Sequence, residues 1–120
     1  MEYVIVALKL IVGFSILNVW LVRAKKPTPY RGGDANNIIE EFQNYGLPAW
    51  FTYVIGTAKV FLAIMLIVSV FYPGIGTYAA YGIAFLMLGA VAMHVKIGDP
   101  PVKAFPALTF LAFSLLIALF

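Results

Sequence analysis

The sequence predicts an all-α integral membrane protein: an antiparallel bundle of four transmembrane helices with a short interfacial helix between the first and second spans. Three observations carry that prediction. Of the 120 residues, 63% are apolar and only 11% charged, whereas soluble domains hold roughly 45–50% apolar and about 25% charged residues. Four apolar runs occur, at about residues 3–22, 50–72, 76–95 and 104–120, each near the roughly 20 residues that a helix needs to cross a hydrocarbon core. Apolar residues surround each run instead of forming a single stripe, as expected where lipid replaces water. The length suits one domain, residues 1–120.

The first run begins Met1-Glu2-Tyr3, without a basic leader or a small-residue cleavage motif, and reads as a permanent helix. Behind it lies the one sizeable polar segment. Pro27 and Pro29 fix φ and remove donors, and Gly32-Gly33 permits a tight turn, so its first half is loop. Its second half predicts a helix over about 35–45: Asp34 or an adjacent Asn caps it, Asn37-Ile38-Ile39-Glu40 has capping-box form, and Gly46 with Pro48 stops it. Ile38, Phe42 and Tyr45 share its apolar face, a pattern suited to a membrane surface. Runs two and three are joined by a turn around Pro73-Gly74 that permits only a hairpin. The third connection, Lys96 to Lys103, lies on the side of the long loop.

Charge sets the expected orientation. Arg23, Lys25, Lys26, Arg31, Lys96 and Lys103 fall in the first and third connections, while the opposite turn has no Lys or Arg. The positive-inside rule puts both polar loops in the cytoplasm and both termini outside, in a multi-pass protein expected in a bacterial inner membrane. Tyr30, Tyr45 and Trp50 on one side and Tyr3, Tyr72 and Tyr78 on the other fit interfacial belts. The net charge of +3 is spread over loops, without the dense basic stripe that nucleic-acid binding needs. The absence of cysteine excludes disulfides and thiolate sites intrinsic to this chain.

Ionisable side chains inside spans are functional candidates by default. Lys9 lies near the outer end, and its lean toward the helix N-terminus lets it snorkel to the headgroups. Lys59 is different. A rise of 1.5 Å per residue from Trp50 puts it roughly 14 Å deep in a ~30 Å core, and Thr52, Gly56, Lys59 and Ala63 form a small and polar stripe that turns it toward the bundle. His94 leans from the third span toward Lys59, and Asn18 lies in the same half of the first span. These three form a candidate site roofed by the loops that carry Arg31, Asp34, Glu41 and Asp99. The competing reading is inter-helix hydrogen bonding that fixes packing without chemistry. No Asp or Glu lies within the four runs. Lys59 is therefore uncharged in its buried setting, reaches a loop carboxylate such as Glu41 or Asp99, or meets an acceptor on a ligand or another chain. No set of side chains matches a zinc or di-iron site, a serine nucleophile with its base, or a phosphate loop.

Tyr30-Arg31-Gly32-Gly33-Asp34, Glu41-Phe42, Tyr45-Gly46-Leu47-Pro48, Gly56-x-x-Lys59, and His94 followed by Gly98-Asp99-Pro100 together resemble the DoxX-like family of small four-helix membrane proteins. The last stretch, with Lys103, is also distantly similar to the animal nicotinic-receptor chaperone NACHO. Many relatives carry Glu at the position of Lys59, so this chain inverts the charge there. The resemblance implies the four-helix fold, and it implies several activities: a thiosulfate:quinone oxidoreductase subunit, quinone-linked roles and assistance to membrane-protein assembly.

Two functions follow as expectations. One is a non-catalytic accessory or assembly subunit, binding lipid and other membrane-protein subunits or forming a homo-oligomer. The other is a quinone-linked oxidoreductase component in which Lys59 and His94 polarise quinone oxygens. No cofactor is intrinsic to the chain. In the second case a quinone binds and another subunit supplies the electrons.

Overall fold

A computed structural model describes residues 2–26 and 29–120. The loop assignment at Pro27 and Thr28 lies outside the described residues. Among those residues every regular element is helical: α1 (Glu2–Leu17), α2 (Ile38–Asn44), α3 (Ala49–Val68), α4 (Gly76–Lys96) and α5 (Phe105–Leu119). Tight turns at Pro73–Ile75 and Pro101–Ala104 lead into α4 and α5, and a wide turn at Asn18–Val22 continues α1. Four stretches are long and apolar enough to cross a membrane, with lengths of 21, 20, 24 and 19 residues. At 1.5 Å per residue these span roughly 29–36 Å, matching a hydrocarbon core of ~30 Å.

Small residues let the long helices approach closely. A Cβ on Gly13 would lie 2.5 Å from Ile67, which brings α1 against α3, and one on Gly82 would lie 2.9 Å from Leu62, which brings α4 against α3. Val12, Ala63, Leu66, Ala79, Ala80 and Ile83 fill the middle of the bundle, all fully buried.

The short helix α2 forms as the capping pattern predicts, with Asn37 of the two cap candidates making the cap. Asn37, rather than Asp34, accepts from the Glu40 amide at 2.9 Å, and its side-chain amide donates to the Glu40 carboxylate at 2.7 Å. The far end closes on Gly46, at φ 84°. The Gly46 amide bonds Gln43 O at 2.9 Å and the Leu47 amide bonds Phe42 O at 3.0 Å, the paired pattern of a Schellman stop. Its apolar face does not look outward. Ile38, Phe42 and Tyr45 are buried against Val19, Trp20, Phe51, Ile55 and Met93, so the face expected on the bilayer covers the bundle instead. Tyr45 thereby leaves the aromatic belt, whereas Tyr3, Trp50, Tyr72 and Tyr78 stay exposed.

Lys9 also departs from expectation. Its side chain leans toward the hairpin end, but the ammonium stops inside the protein and donates to Ser69 O at 3.2 Å. The last carbonyls of α3 have no partners within their own helix, and they carry the negative end of its dipole. Gly76 opposite leaves room, since a Cβ there would lie 3.0 Å from Lys9 Nζ.

Candidate functional site

The site is built at the loop end, where α1 finishes. The wide turn at Asn18–Val22 is closed by the Arg23 amide on Asn18 O at 2.9 Å, five residues back. π turns of this kind re-aim side chains and are frequent at functional sites. Trp20, within the turn, packs on Gly56, where a Cβ would meet the indole at 2.6 Å.

Arg31 then closes the end of this span. Its guanidinium donates to the carbonyls of Arg23 at 2.8 Å, Lys26 at 3.1 Å and Ala24 at 3.4 Å, placing a cation at a helix C-terminus. Gly32 and Gly33 are fixed on both sides. The Gly32 amide donates to Glu41 Oε2 at 2.7 Å and the Gly33 amide to Asp99 Oδ1 at 3.1 Å. Asn44 Nδ2 donates to Gly32 O at 3.0 Å, and Lys103 Nζ donates to Gly33 O. Both positions need glycine: a Cβ on Gly32 would lie 2.6 Å from the Tyr45 ring, and Gly33 has φ 59°. The Arg31-Gly32-Gly33 loop is thus fastened to α2 and to the connection before α5.

His94, near the end of α4, faces this loop. Its Nδ1 is 2.7 Å from Asp99 Oδ2, and both side chains are almost fully buried. A carboxylate only accepts, so Nδ1 carries the proton of that bond. Nε2 is 3.5 Å from Tyr45 Oη, with the two rings edge to face. Burial raises the Asp99 carboxyl, but hydrogen bonds from His94 and the Gly33 amide, with the His94 and Lys103 charges, outweigh it and hold Asp99 below its ordinary value. Burial, reinforced by the negative charges of Glu41 and Asp99, pushes Tyr45 well above the ordinary phenol range, so it remains a phenol able to donate.

Beneath the loop lies a cavity of about 440 Å³. Asn18, Arg31, Glu41, Lys59 and His94 line it, over an apolar wall that includes Ile16, Met87, Ala107 and Phe110. Five of the seven residues selected from the sequence therefore meet in one cavity. Asp99 stands behind His94, and Asp34 lies apart on an exposed shallow surface with Gln43 and Asn44. Lys59 is half-buried, its Nζ 5.3 Å from the centre of the Trp20 ring, a cation–π contact. Among the described residues His94–Asp99 is the ion pair within 4 Å, so neither Glu41 nor Asp99 pairs with Lys59. Both carboxylates already accept from the glycine amides. No three His, Asp or Glu side chains gather closely enough to hold a metal among those residues.

Sequence reasoning did not single out Trp20 or Tyr45 as site residues. Trp20 is hidden in an apolar run. Tyr45 had one usable signal, its place on the face of α2 shared with Ile38 and Phe42.

Four membrane-length helices around a cavity with a half-buried lysine and a buried histidine define a multi-pass integral membrane protein with a polar site at one end of its bundle. The sequence signature of the DoxX-like family matches residues 33–117, and the chain belongs to that family. No curated protein and no solved structure matches it.

Proposed function

We propose that the protein is a binding component of a quinone-linked membrane system, holding the head of a lipid-soluble carbonyl compound in the cavity under the Arg31-Gly32-Gly33 loop. One observation carries this reading: the Lys59 ammonium borders a cavity with its Nζ over the Trp20 ring, and among the described residues no carboxylate comes within 4 Å of it, Glu41 and Asp99 accepting instead from the glycine amides. An unmet donor in a low-dielectric site favours an acceptor oxygen, because hydrogen bonds to charged groups are the strong ones. The apolar wall suits a ring. A bound quinone would supply two-electron chemistry for which this chain has no side chain, and Lys59 with Arg31 would stabilise negative charge developing on its oxygens. Electrons come from a partner subunit.

An assembly subunit that packs on other membrane proteins is the second reading. It is favoured by a groove of about 960 Å³ beside Trp20, Thr57, Phe61 and Ile64, open on the side of the bundle. Native mass spectrometry of the protein in lipid nanodiscs separates the two. Co-purifying quinone that is lost in Lys59→Met supports the first, and a protein partner retained in that variant supports the second. Recovery of the bare protein from cells that contain quinone counts against both.

A further inference from the structure

A second cavity, of about 270 Å³, lies between α2, α3 and α4. Glu41, Lys59 and Ala90 belong to the walls of both cavities, so the two spaces lie side by side at the Lys59 side chain. Away from that junction the second cavity is a slot with apolar walls, formed by Phe51 and Ile55 of α3 and by Phe85, Gly89 and Met93 of α4. Its outer edge faces away from the bundle: Phe85 is 75% exposed, and Gly89, one turn later, is exposed too.

Gly89 differs from the other glycines of the spans. Gly13, Gly56, Gly76 and Gly82 each have a neighbour where a Cβ would stand, so their missing side chains serve helix packing. At Gly89 nothing lies within 4 Å of that position. Its missing side chain leaves α3 and α4 separated by open space at the depth of Lys59. The opposite flank of the first cavity, toward α1 and α5, sets the polar Asn18, Arg23, Tyr30 and Lys103 beside the apolar Ile16, Ala107 and Phe110. The loop above is fastened by the bonds of Gly32 and Gly33.

We propose that the α3–α4 slot is the lateral entrance and tail subsite of the cavity, and that the ligand is an amphiphile whose acceptor head rests at Lys59 while its linear aliphatic tail passes Gly89 into the bilayer. The inference rests on the preceding reading for the head and adds the class of tail. A quinone with an alkyl or isoprenoid tail and a fatty acid share this chemistry.

The test uses the full chain in nanodiscs with three probes: a benzoquinone bearing a decyl tail with a mid-tail diazirine, the same benzoquinone without a tail, and oleate with a mid-chain diazirine. Tail-less binding is read from quenching of tryptophan fluorescence, since Trp20 lies against Lys59. On illumination the tailed quinone is expected to label Phe51, Ile55, Phe85 or Met93. Gly89→Phe fills the slot, and is expected to cut that label about tenfold, the effect of overpacking by a little over 1 kcal/mol, with quenching by the tail-less quinone unchanged. Gly89→Leu acts in the same direction and, with no neighbour to displace, leaves folding intact. Leu108→Phe, on the exposed face of α5 away from both cavities, is expected to leave the label in place. Label on Ala107 or Phe110, or label equal in Gly89→Phe and wild type, overturns the slot. If neither quinone binds but oleate labels the slot in a Gly89-dependent way, the slot stands with a carboxylate head and the quinone reading falls. If no probe binds, both fall.

Discussion

The two ends of the bundle each hold a lysine in a span, and they treat it in opposite ways. At the hairpin end Lys9 closes a packed junction of α1, α3 and α4, with its ammonium on the Ser69 carbonyl at the terminus of α3. At the loop end Lys59 projects from the middle of α3 beside two cavities that share it as a wall, its ammonium over the Trp20 ring and, among the described residues, in no ion pair within 4 Å. Helix termini explain the difference. The last four carbonyls of a helix need donors from elsewhere, so a cation beside them is satisfied by backbone alone. A cation in mid-helix finds every nearby carbonyl already bonded, and its remaining donors must turn to side chains, water or a ligand.

Replacing each lysine with methionine breaks this comparison most directly. Lys59→Met is expected to weaken binding of the tail-less quinone roughly 10- to 150-fold, the range of one hydrogen bond to a charged group, with a Tm that is unchanged or higher because a charge without a partner has left the interior. Lys9→Met is expected to leave binding alone and lower stability by about 1–3 kcal/mol, the effect of a buried acceptor losing its donor. Ser69 O and the negative end of the α3 dipole stabilise the Lys9 ammonium where it sits, so relief of desolvation does not offset that loss. Thermal unfolding in nanodiscs and fluorescence titration check both. A Tm that falls in Lys59→Met and rises in Lys9→Met would reverse the assignment.

The bundle was legible in the sequence because its signals are local: four apolar runs, the capping box from Asn37 to Glu40, and the Gly46 stop. Convergence of Asn18, Lys59 and His94 could also be foreseen, since helix direction and depth put all three in one half of the bundle. What escaped depends on neighbours distant in sequence. The direction of Lys9 followed from its helix, but its stopping point was set by Ser69, sixty residues on. Tyr45 read as an interfacial aromatic because nothing local shows that Gly32 leaves a space for its ring. The carboxylates of Glu41 and Asp99 were candidates for Lys59, yet neither comes within 4 Å of it and each accepts from a glycine amide.

The same comparison is sharpened by Asp99, which belongs to the loop end without touching the cavity. Its carboxyl is held below its ordinary value in the folded protein, so it stabilises the fold above the unfolded value, and that contribution is lost as pH falls through the folded one. Asp99→Asn keeps an acceptor for the Gly33 amide and loses the charge opposite His94. It is expected to lower stability at neutral pH by about 1.5 kcal/mol, a low value for a hydrogen bond to a charged group. The wild-type advantage should shrink on acidification below the ordinary carboxylate range. Hydrogen exchange at the Gly32 and Gly33 amides should rise in the variant while exchange around Lys9 stays constant. Equal increases at both ends would show that the two ends are not independent.

The smallest effect is expected at Asp34, which sits next to Gly33 in sequence. Sequence pattern placed it with Arg31 and Glu41, and both of those have part-buried bonds that tie the loop down. Asp34 is exposed on the far side of the loop, and Asn37 makes the cap for α2 that Asp34 was a candidate to make. Asp34→Asn should therefore change stability by no more than about 0.5 kcal/mol, as for other surface substitutions, and leave quinone binding at its wild-type value. The contrast with Asp99→Asn is informative because both variants remove one carboxylate from the same loop end. If Asp34→Asn lowered the Tm as much as Asp99→Asn, net charge at that end, and not the bonds to Gly33 and His94, would be what holds the loop over the cavity.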